Sequence, residues 1–228
     1  MMPKGVEHAH VEPAWVRSTV NMVAYSWAHG LPIFEMGHVH RQVVHWGRNE
    51  LARQALESNG PAGPYTHFLW LDTDHVFEPY LAAFLARHMV NRPEIDAVSA
   101  LYYARESKHL PVAYVKDDNP GKYSHYPIIE VPEALCEVDA VGFGAILTKR
   151  ELFDKVEYPW LRFEGCGEDI YFCVEAREKG ARIFLDGTLK IGHIGAPPVV
   201  GEQEYRRYLA EHAEEYADRV RVGLGGAR

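Results

Sequence analysis

The feature that most restricts the fold is a short apolar run, His67–Leu71, which stops abruptly at Asp72-Thr73-Asp74. A strand that is buried on both faces has a continuous apolar sequence rather than an alternating one, and this run has the length of a typical strand. We therefore predict a buried strand that ends in two carboxylates. In open α/β sheets, ligands bind beyond the carboxyl ends of the strands, so Asp72 and Asp74 become candidate site residues.

Helical and strand-like segments alternate around this run. Pro13 stands where a helix N1 proline would, and apolar residues recur at helical spacing from Trp15 to Trp27. The alternation predicts an α/β domain with a mostly parallel central sheet flanked by helices, and shorter segments in the second half add a small antiparallel part. The other predicted strands are 3–7, 33–36, 95–102, 112–115, 128–131, 138–147, 183–185 and 189–193. Further helices are predicted to start at Arg48, at Pro79, at the capping box Thr148–Glu151, at Gly167 and at Glu202, and residues 218–228 are predicted to be a flexible tail.

Composition and charge narrow the class of protein. The 228 residues suit one domain, and 47% hydrophobic with 25% charged residues is the balance of a globular chain. A net charge of −8 without a basic run disfavours duplex nucleic acid as a partner. Three cysteines without a CxxC pair indicate a reducing compartment. Since the sequence shows neither a signal peptide nor a transmembrane run, we expect a cytoplasmic protein.

Asp72 and Asp74 are candidate metal ligands. In an extended stretch, side chains two residues apart point to the same side, so the two carboxylates would converge on a hard divalent cation that also binds phosphate oxygens. The alternative is two turn-forming aspartates at a strand end, and the tripeptide alone does not decide between them. His193 is either a structural histidine or a further ligand beside Asp74, and an imidazole with a carboxylate suits Mn²⁺ somewhat better than Mg²⁺.

Glu168 and Asp169 stand in the first turn of a predicted helix, directly after Gly165-Cys166-Gly167. The helix dipole alone favours acidic residues there, by about 0.3–1 kcal/mol each. The glycines would also let the backbone pass close to a ligand, where a carboxylate can act as a general base toward a hydroxyl group. Both interpretations stay open on the residues alone.

Two further segments have a structural and a functional interpretation. Arg48 and Asn49 either begin a surface helix or present positive charge and helix N–H groups to a diphosphate. The segment Gly142-Phe143-Gly144-Ala145 is either a bulge or a place where the backbone, at Gly144, and Phe143 line a ligand pocket.

Several segments also form a pattern when they are taken in order along the chain. They are His10-Val11-Glu12-Pro13-Ala14-Trp15, Arg48-Asn49, Phe68-Leu69-Trp70-Leu71-Asp72-Thr73-Asp74, Val141-Gly142-Phe143-Gly144-Ala145, Gly167-Glu168-Asp169-Ile170-Tyr171-Phe172-Cys173, Gly180, Asp186 and Gly192-His193. This pattern resembles GT-A glycosyltransferases related to the large inverting family 2 group, especially small stand-alone members from bacteria and phages. The resemblance covers most of the chain, from about Val6 to Gly195.

The resemblance implies a single GT-A, Rossmann-like domain over residues 1–217 and a metal-dependent glycosyltransferase with a DxD motif. Such an enzyme moves a sugar from a nucleotide-sugar donor to an acceptor that the sequence does not identify. A UDP- or GDP-linked donor and inversion at the anomeric carbon are the expectations, although retaining GT-A enzymes share the same acidic and histidine pattern.

The resemblance also implies roles for individual residues. Asp74 and His193 would bind Mn²⁺ or Mg²⁺ at the donor diphosphate, and Asp72 would lie near the donor ribose or the metal shell. Asp169 would be the base, with Glu168 beside it in the acceptor region. The loop that contains His10 would lie near the nucleotide base.

Two other classes of protein compete with this interpretation. A sugar nucleotidyltransferase has a similar sheet, but that class usually opens with a Gly-rich loop followed by a basic residue. Residues 6–13 contain no such loop. A nucleotide-sugar-binding module without activity is the other alternative. The acidic and histidine residues of the pattern favour an enzyme over such a module.

Overall fold

The computed structural model describes residues 11–31, 33, 35–37, 39, 43–105, 108–117, 121–195 and 199–216. The edge strand predicted at 3–7, the candidate His10 and the tail 218–228 lie outside these residues. The helices are α1 (Pro13–Ala28), α2 (Val44–Glu57), α3 (Leu81–Asn91), α4 (Leu152–Lys155), α5 (Glu168–Glu178) and α6 (Glu202–Glu211), with a 3-10 turn at Ala213–Tyr216. The strands are β1 (Asn59–Gly60), β2 (Gly63–Pro64), β3 (His67–Leu71), β4 (His75–Val76), β5 (Ala97–Leu101), β6 (Ala113–Lys116), β7 (His125–Pro127), β8 (Leu135–Glu137), β9 (Ala140–Val141), β10 (Ala145–Lys149), β11 (Ile183–Lys190) and β12 (Gly192–His193). In this part of the chain, no helix is both long enough and apolar enough to cross a membrane.

The central sheet has five strands in the order β3-β10-β5-β11-β8. Only the β5–β11 pairing is parallel, whereas β3–β10, β10–β5 and β11–β8 are antiparallel. The prediction of a mostly parallel sheet is therefore wrong, and the α/β domain has a mixed sheet. The reason lies in the connection between β5 and β10, which includes β8 and the small sheet β7-β6-β9. It brings the chain back to the edge at which β5 ends, so β10 starts there and runs against both of its neighbours.

Helices cover both faces of this sheet, with a core on each side. Side chains alternate between the two cores along the strands, since Phe68 and Trp70 of β3 face one side and Leu69 faces the other. The first core also contains apolar side chains of α2, α4, α5 and α6, and the second contains those of α1 and α3. The arrangement is a helix–sheet–helix sandwich. Since the helices cover the two faces of the sheet, its edge is available for polar residues.

Several local predictions are confirmed. Strand β3 has the predicted bounds, and α1 begins at Pro13. Helix α5 begins directly after Gly167, and Gly180 follows its end with a φ of 79°, a conformation that favours glycine. The interruption predicted at Gly142-Phe143-Gly144 separates β9 from β10.

Other local predictions are wrong. The strand expected at 128–131 lies three residues earlier, as β7, and the described residues of 33–36 belong to no strand. The proposed capping box fails because Thr148 lies inside β10, where its hydroxyl accepts from the Trp70 indole and donates to the carbonyl of Phe68. Helix α2 begins at Val44, so Arg48 and Asn49 lie beyond its first turn and their N–H groups are not at a free helix end.

Candidate functional site

The candidate site residues lie along one edge of the central sheet. Strands β3, β5 and β11 run in the same direction, so their carboxyl ends meet at this edge beside the start of β10. Asp72 follows β3, Tyr102 follows β5, and Gly144 precedes β10. The N–H of Asp72 donates to the carbonyl of Gly144 over 3.0 Å, which ties the end of β3 to the start of β10.

A short antiparallel pair then brings two histidines side by side. Strand β4 pairs with β12, and His75 lies directly opposite His193. The N–H of Ile194 donates to the carbonyl of Asp74 over 2.6 Å, which continues the pairing toward the acidic tripeptide. The two imidazole rings are stacked, with centroids 4.4 Å apart. Residues that are far apart in the sequence are thereby fixed at one point.

Asp74, His75 and His193 form a group whose ligand atoms all lie within 4.8 Å of one another. One oxygen of Asp74 is 3.4 Å from Nε2 of His193, and the other is 3.6 Å from Nδ1 of His75. Nδ1 of His193 lies 2.9 Å from the carbonyl oxygen of Tyr103, which can only accept, so Nδ1 carries the proton. Nε2 of His193 faces Asp74, the orientation of a metal-binding histidine that a carbonyl holds through its other ring nitrogen.

Part of this group has no hydrogen-bond partner within the protein, although Oδ2 of Asp74 forms an ion pair with Arg105 at 3.0 Å. Oδ1 of Asp74 and both ring nitrogens of His75 are buried without a hydrogen-bond partner. Burial, together with the nearby His193, lowers the pKa of His75 to about 4, so its ring is neutral near pH 7. Burial acts to raise the pKa of Asp74, but His193, His75 and Arg105 outweigh it, and the pKa is lowered. A carboxylate beside two imidazoles is a donor set that fits a divalent cation such as Mn²⁺.

Asp72 does not join this group. Residues 72–74 form a turn rather than an extended stretch, so the expected convergence of the two carboxylates is wrong. Both oxygens of Asp72 instead accept from Nη2 of Arg48, at 2.9 and 3.1 Å. Nη1 of Arg48 donates to Glu168 over 2.6 Å. Arg48 thus joins the end of β3 to the start of α5 through its guanidinium group. Its side chain is only 11% exposed.

Asp169, next to Glu168, lies partly buried at the start of α5. Its Oδ1 accepts from the N–H of Ile170 over 2.8 Å. Burial and the charge of Glu168 nevertheless raise the pKa of Asp169 to about 6, against the opposing effects of that hydrogen bond and of Arg48. A carboxylate whose pKa is raised toward neutrality is suited to accept a proton from a hydroxyl group.

Two other candidate residues are occupied by contacts within the protein. The side chain of Asn49 donates to the carbonyl oxygens of His45 and Leu161, both at 2.7 Å, and accepts from the N–H of Leu161. The N–H of Gly144 donates to the Tyr102 hydroxyl over 3.0 Å. Phe143 is buried between aromatic rings, so the interpretation that it lines a pocket is wrong.

Sequence reasoning missed three members of this edge. His75 adjoins Asp74, yet only its pairing with His193 across β4 and β12 reveals a shared site. Arg105 lies 3.0 Å from Asp74, and Tyr102 lies under Gly144. The local sequence carries no signal for any of the three, because each depends on contacts between distant segments.

Comparisons with known proteins extend this picture at the level of the fold. No family model matches the chain, and no curated protein matches it in sequence. The structure is similar to the crystal structure of A197 from STIV, with a TM-score of 0.56 and 21% identity over 81% of this chain and 84% of that one. The chain shares the α/β fold of A197. A similarity to apo UDP-glucose pyrophosphorylase has a TM-score of 0.40 and 9% identity over 78% of this chain and 62% of that one, which is too low to support any inference.

Proposed function

We propose that this chain is a metal-dependent glycosyltransferase of the GT-A type, which transfers a sugar from a UDP- or GDP-linked donor to an acceptor hydroxyl with inversion. The main support is Oδ1 of Asp74, a buried carboxylate oxygen that has no hydrogen-bond partner and lies beside two imidazoles. Such a group is costly to bury unless something binds it. The sequence resemblance to GT-A enzymes is the second support.

In this proposal Asp74, His193 and His75 hold Mn²⁺ or Mg²⁺. The bound cation would supply positive charge for the departing nucleoside diphosphate. Asp169 takes the proton from the acceptor hydroxyl, whose oxygen forms a bond to the anomeric carbon while the bond from that carbon to the diphosphate oxygen breaks. Arg48 holds the carboxylates of Asp72 and Glu168 in place through hydrogen bonds.

Thermal unfolding with a matrix of donors and metals tests the proposal. UDP-, GDP- and dTDP-linked sugars are each combined with Mn²⁺, Mg²⁺ or EDTA, because a ligand at a hundred times its Kd stabilises the native state by about 2.7 kcal/mol. We expect one nucleotide class to raise the Tm with a metal and not with EDTA. Asp74→Asn should abolish this shift, whereas Asp154→Asn, a change at an exposed aspartate of α4, should keep it.

Two results would contradict the proposal. One is a wild-type protein whose Tm no donor changes under any metal condition. The other is an Asp74→Asn protein that keeps the full metal-dependent shift. Release of pyrophosphate from a nucleoside triphosphate and a sugar phosphate would instead assign the site to a nucleotidyltransferase.

A further inference from the structure

An open groove lies between α2 and the segment 158–164, with a volume of about 710 Å³. Ligand sites for small molecules have volumes of about 300–1,000 Å³. Three large aromatic side chains line it and are mostly exposed: Trp46 at 64%, Tyr158 at 61% and Phe163 at 64%. We call it the aromatic groove, defined by Trp46, Tyr158 and Phe163.

The aromatic groove is built rather than accidental. The ring of His45 makes edge contacts with both Trp46 and Phe163, at centroid distances of 5.7 and 5.6 Å, so it joins the two walls. The hydrogen bonds of Asn49 to Leu161 hold α2 against the same segment from below. Exposed aromatic side chains that are held in place by such contacts are typical of binding surfaces rather than of ordinary solvent-facing positions.

The charges of the lining are largely balanced. Glu50 accepts from its neighbours Arg53 and Gln54 on α2, so its charge is paired within the protein. Glu164 adds a negative charge, and Arg162, whose Nε and Nη2 donate to the carbonyl oxygens of residues 157–159, adds a positive one. The described lining contains no lysine and no other arginine, so it offers no cluster of basic groups to a phosphate, whereas Glu164 can accept from a hydroxyl group.

The position of the groove connects it with the site at the sheet edge. Asn49, in its lining, is the neighbour of Arg48 on α2. Glu164 precedes the Gly165-Cys166-Gly167 turn that leads directly into Glu168 and Asp169. A ligand in the aromatic groove would lie at the approach to the Asp169 carboxylate.

We propose that the aromatic groove is the acceptor subsite and takes a neutral sugar ring of a glycan acceptor, stacked on Trp46 and Phe163. The assignment rests on the proposed glycosyl transfer. A sugar ring has apolar faces and a rim of hydroxyl groups, so it matches flat aromatic walls with acidic acceptors at their edge. A nucleotide or an acidic glycan would find only one arginine and no lysine in the described lining.

A glycan array tests the assignment with the full chain in fluorescently labelled form. Wild type is compared with Trp46→Ala, Phe163→Ala and the control Trp27→Ala, which removes a Trp that is 54% exposed on α1 outside the groove. We expect wild type to bind at least one neutral oligosaccharide, and both groove variants to bind it at least about tenfold more weakly. Trp27→Ala should bind as wild type does. Because the substituted side chains are mostly exposed, the Tm of each variant should stay close to that of wild type.

Three results would overturn the assignment. They are absence of binding to every neutral glycan on the array, equal binding by wild type and Trp46→Ala, and a preference for acidic glycans. Cosedimentation with phosphatidylcholine vesicles that Trp46→Ala abolishes would assign the groove to a lipid surface instead. The metal-dependent donor shift of Trp46→Ala should equal that of wild type. If no donor shifts the Tm of the wild-type protein either, the glycosyltransferase proposal is contradicted. The array result would still decide whether the groove binds a glycan.

Discussion

At the scale of single residues, the candidate site depends on which charged or hydrogen-bonding groups contact each carboxylate. Asp72 and Glu168 share the guanidinium of Arg48, and Asp74 faces two histidines. Asp169 is the carboxylate with the raised pKa, about 6. The four acidic side chains therefore have three different electrostatic environments: Asp72 and Glu168 share one, and Asp74 and Asp169 each have their own. Asp169 is therefore placed to change its charge near neutral pH.

The raised pKa of Asp169 has a consequence for stability. Because the folded state binds this proton more tightly than the unfolded state does, the associated stabilisation is fully present below the ordinary pKa of 3.8 and is lost as the pH rises through about 6. Asparagine resembles the protonated acid, so Asp169→Asn should leave the Tm nearly unchanged at pH 4 and raise it at pH 7.5. Thermal unfolding at both pH values measures the difference.

Asp154→Asn provides the control for this experiment, since it makes the same substitution at an exposed aspartate of α4 outside the site. A Tm difference between Asp169→Asn and wild type that does not change with pH would show that the Asp169 pKa is not raised. In a transfer assay, the same protonation should make wild-type turnover fall on the acid side, around pH 6.

At the scale of elements, the site depends on how tightly β4, β5 and β10 approach one another. A Cβ at position 144 would lie 2.7 Å from Cε1 of His75 and 2.9 Å from Cζ of Tyr102. Both rings are buried, so neither can move away freely. The glycine is therefore required by close packing at the start of β10, whatever its relation to a ligand.

Gly144→Ala should accordingly destabilise the fold by about 1–3 kcal/mol, the usual cost of overpacking a buried site, and should also displace the His75 ring. Urea unfolding measures the first effect, and Mn²⁺ titration by calorimetry measures the second. Gly121→Ala is the matched control at an exposed position, since its Cβ would lie 3.1 Å from the Cβ of Ser124 and in ordinary contact, at 3.7 Å or more, with the Ser124 main chain. Equal stability of the two variants would show that the packing around residue 144 is looser than described.

Elements whose signals are local could be predicted from the sequence. The apolar run of β3, Pro13 at the start of α1 and the glycines around α5 each act through their immediate neighbours, and all three predictions are confirmed. Strand direction could not be predicted, because apolar runs have the same composition in either direction. The start of α2 was missed because Val43 makes no side-chain cap, so no capping residue announces the helix.

At the scale of the whole molecule, the two cores and the sheet between them should unfold together. Cys173 reports on this because it is fully buried on α5, donates to the carbonyl of Val141 in β9, and has its pKa raised to about 12 by burial. The other two cysteines are only partly buried, and all three are free thiols. Cys173 should therefore react with a thiol reagent only when the whole domain opens.

Pulsed labelling with iodoacetamide, followed by mass spectrometry, measures this at each cysteine across a urea series. We expect Cys173 to be labelled along the same transition as the loss of tryptophan fluorescence, and the partly buried Cys166 to be labelled earlier. Labelling of Cys173 in native buffer, at the rate of Cys166, would show that α5 opens separately from β9. Such an opening would also move Glu168 and Asp169.

The side chain of Asn49 links the two walls of the aromatic groove, since it bonds both main-chain groups of Leu161 from within α2. The relative position of Trp46 and Phe163 is thereby set when the chain folds and not when a ligand arrives. A preorganised pair of walls loses little conformational entropy on association. Weak, reversible contacts with a flat ring can then suffice for recognition.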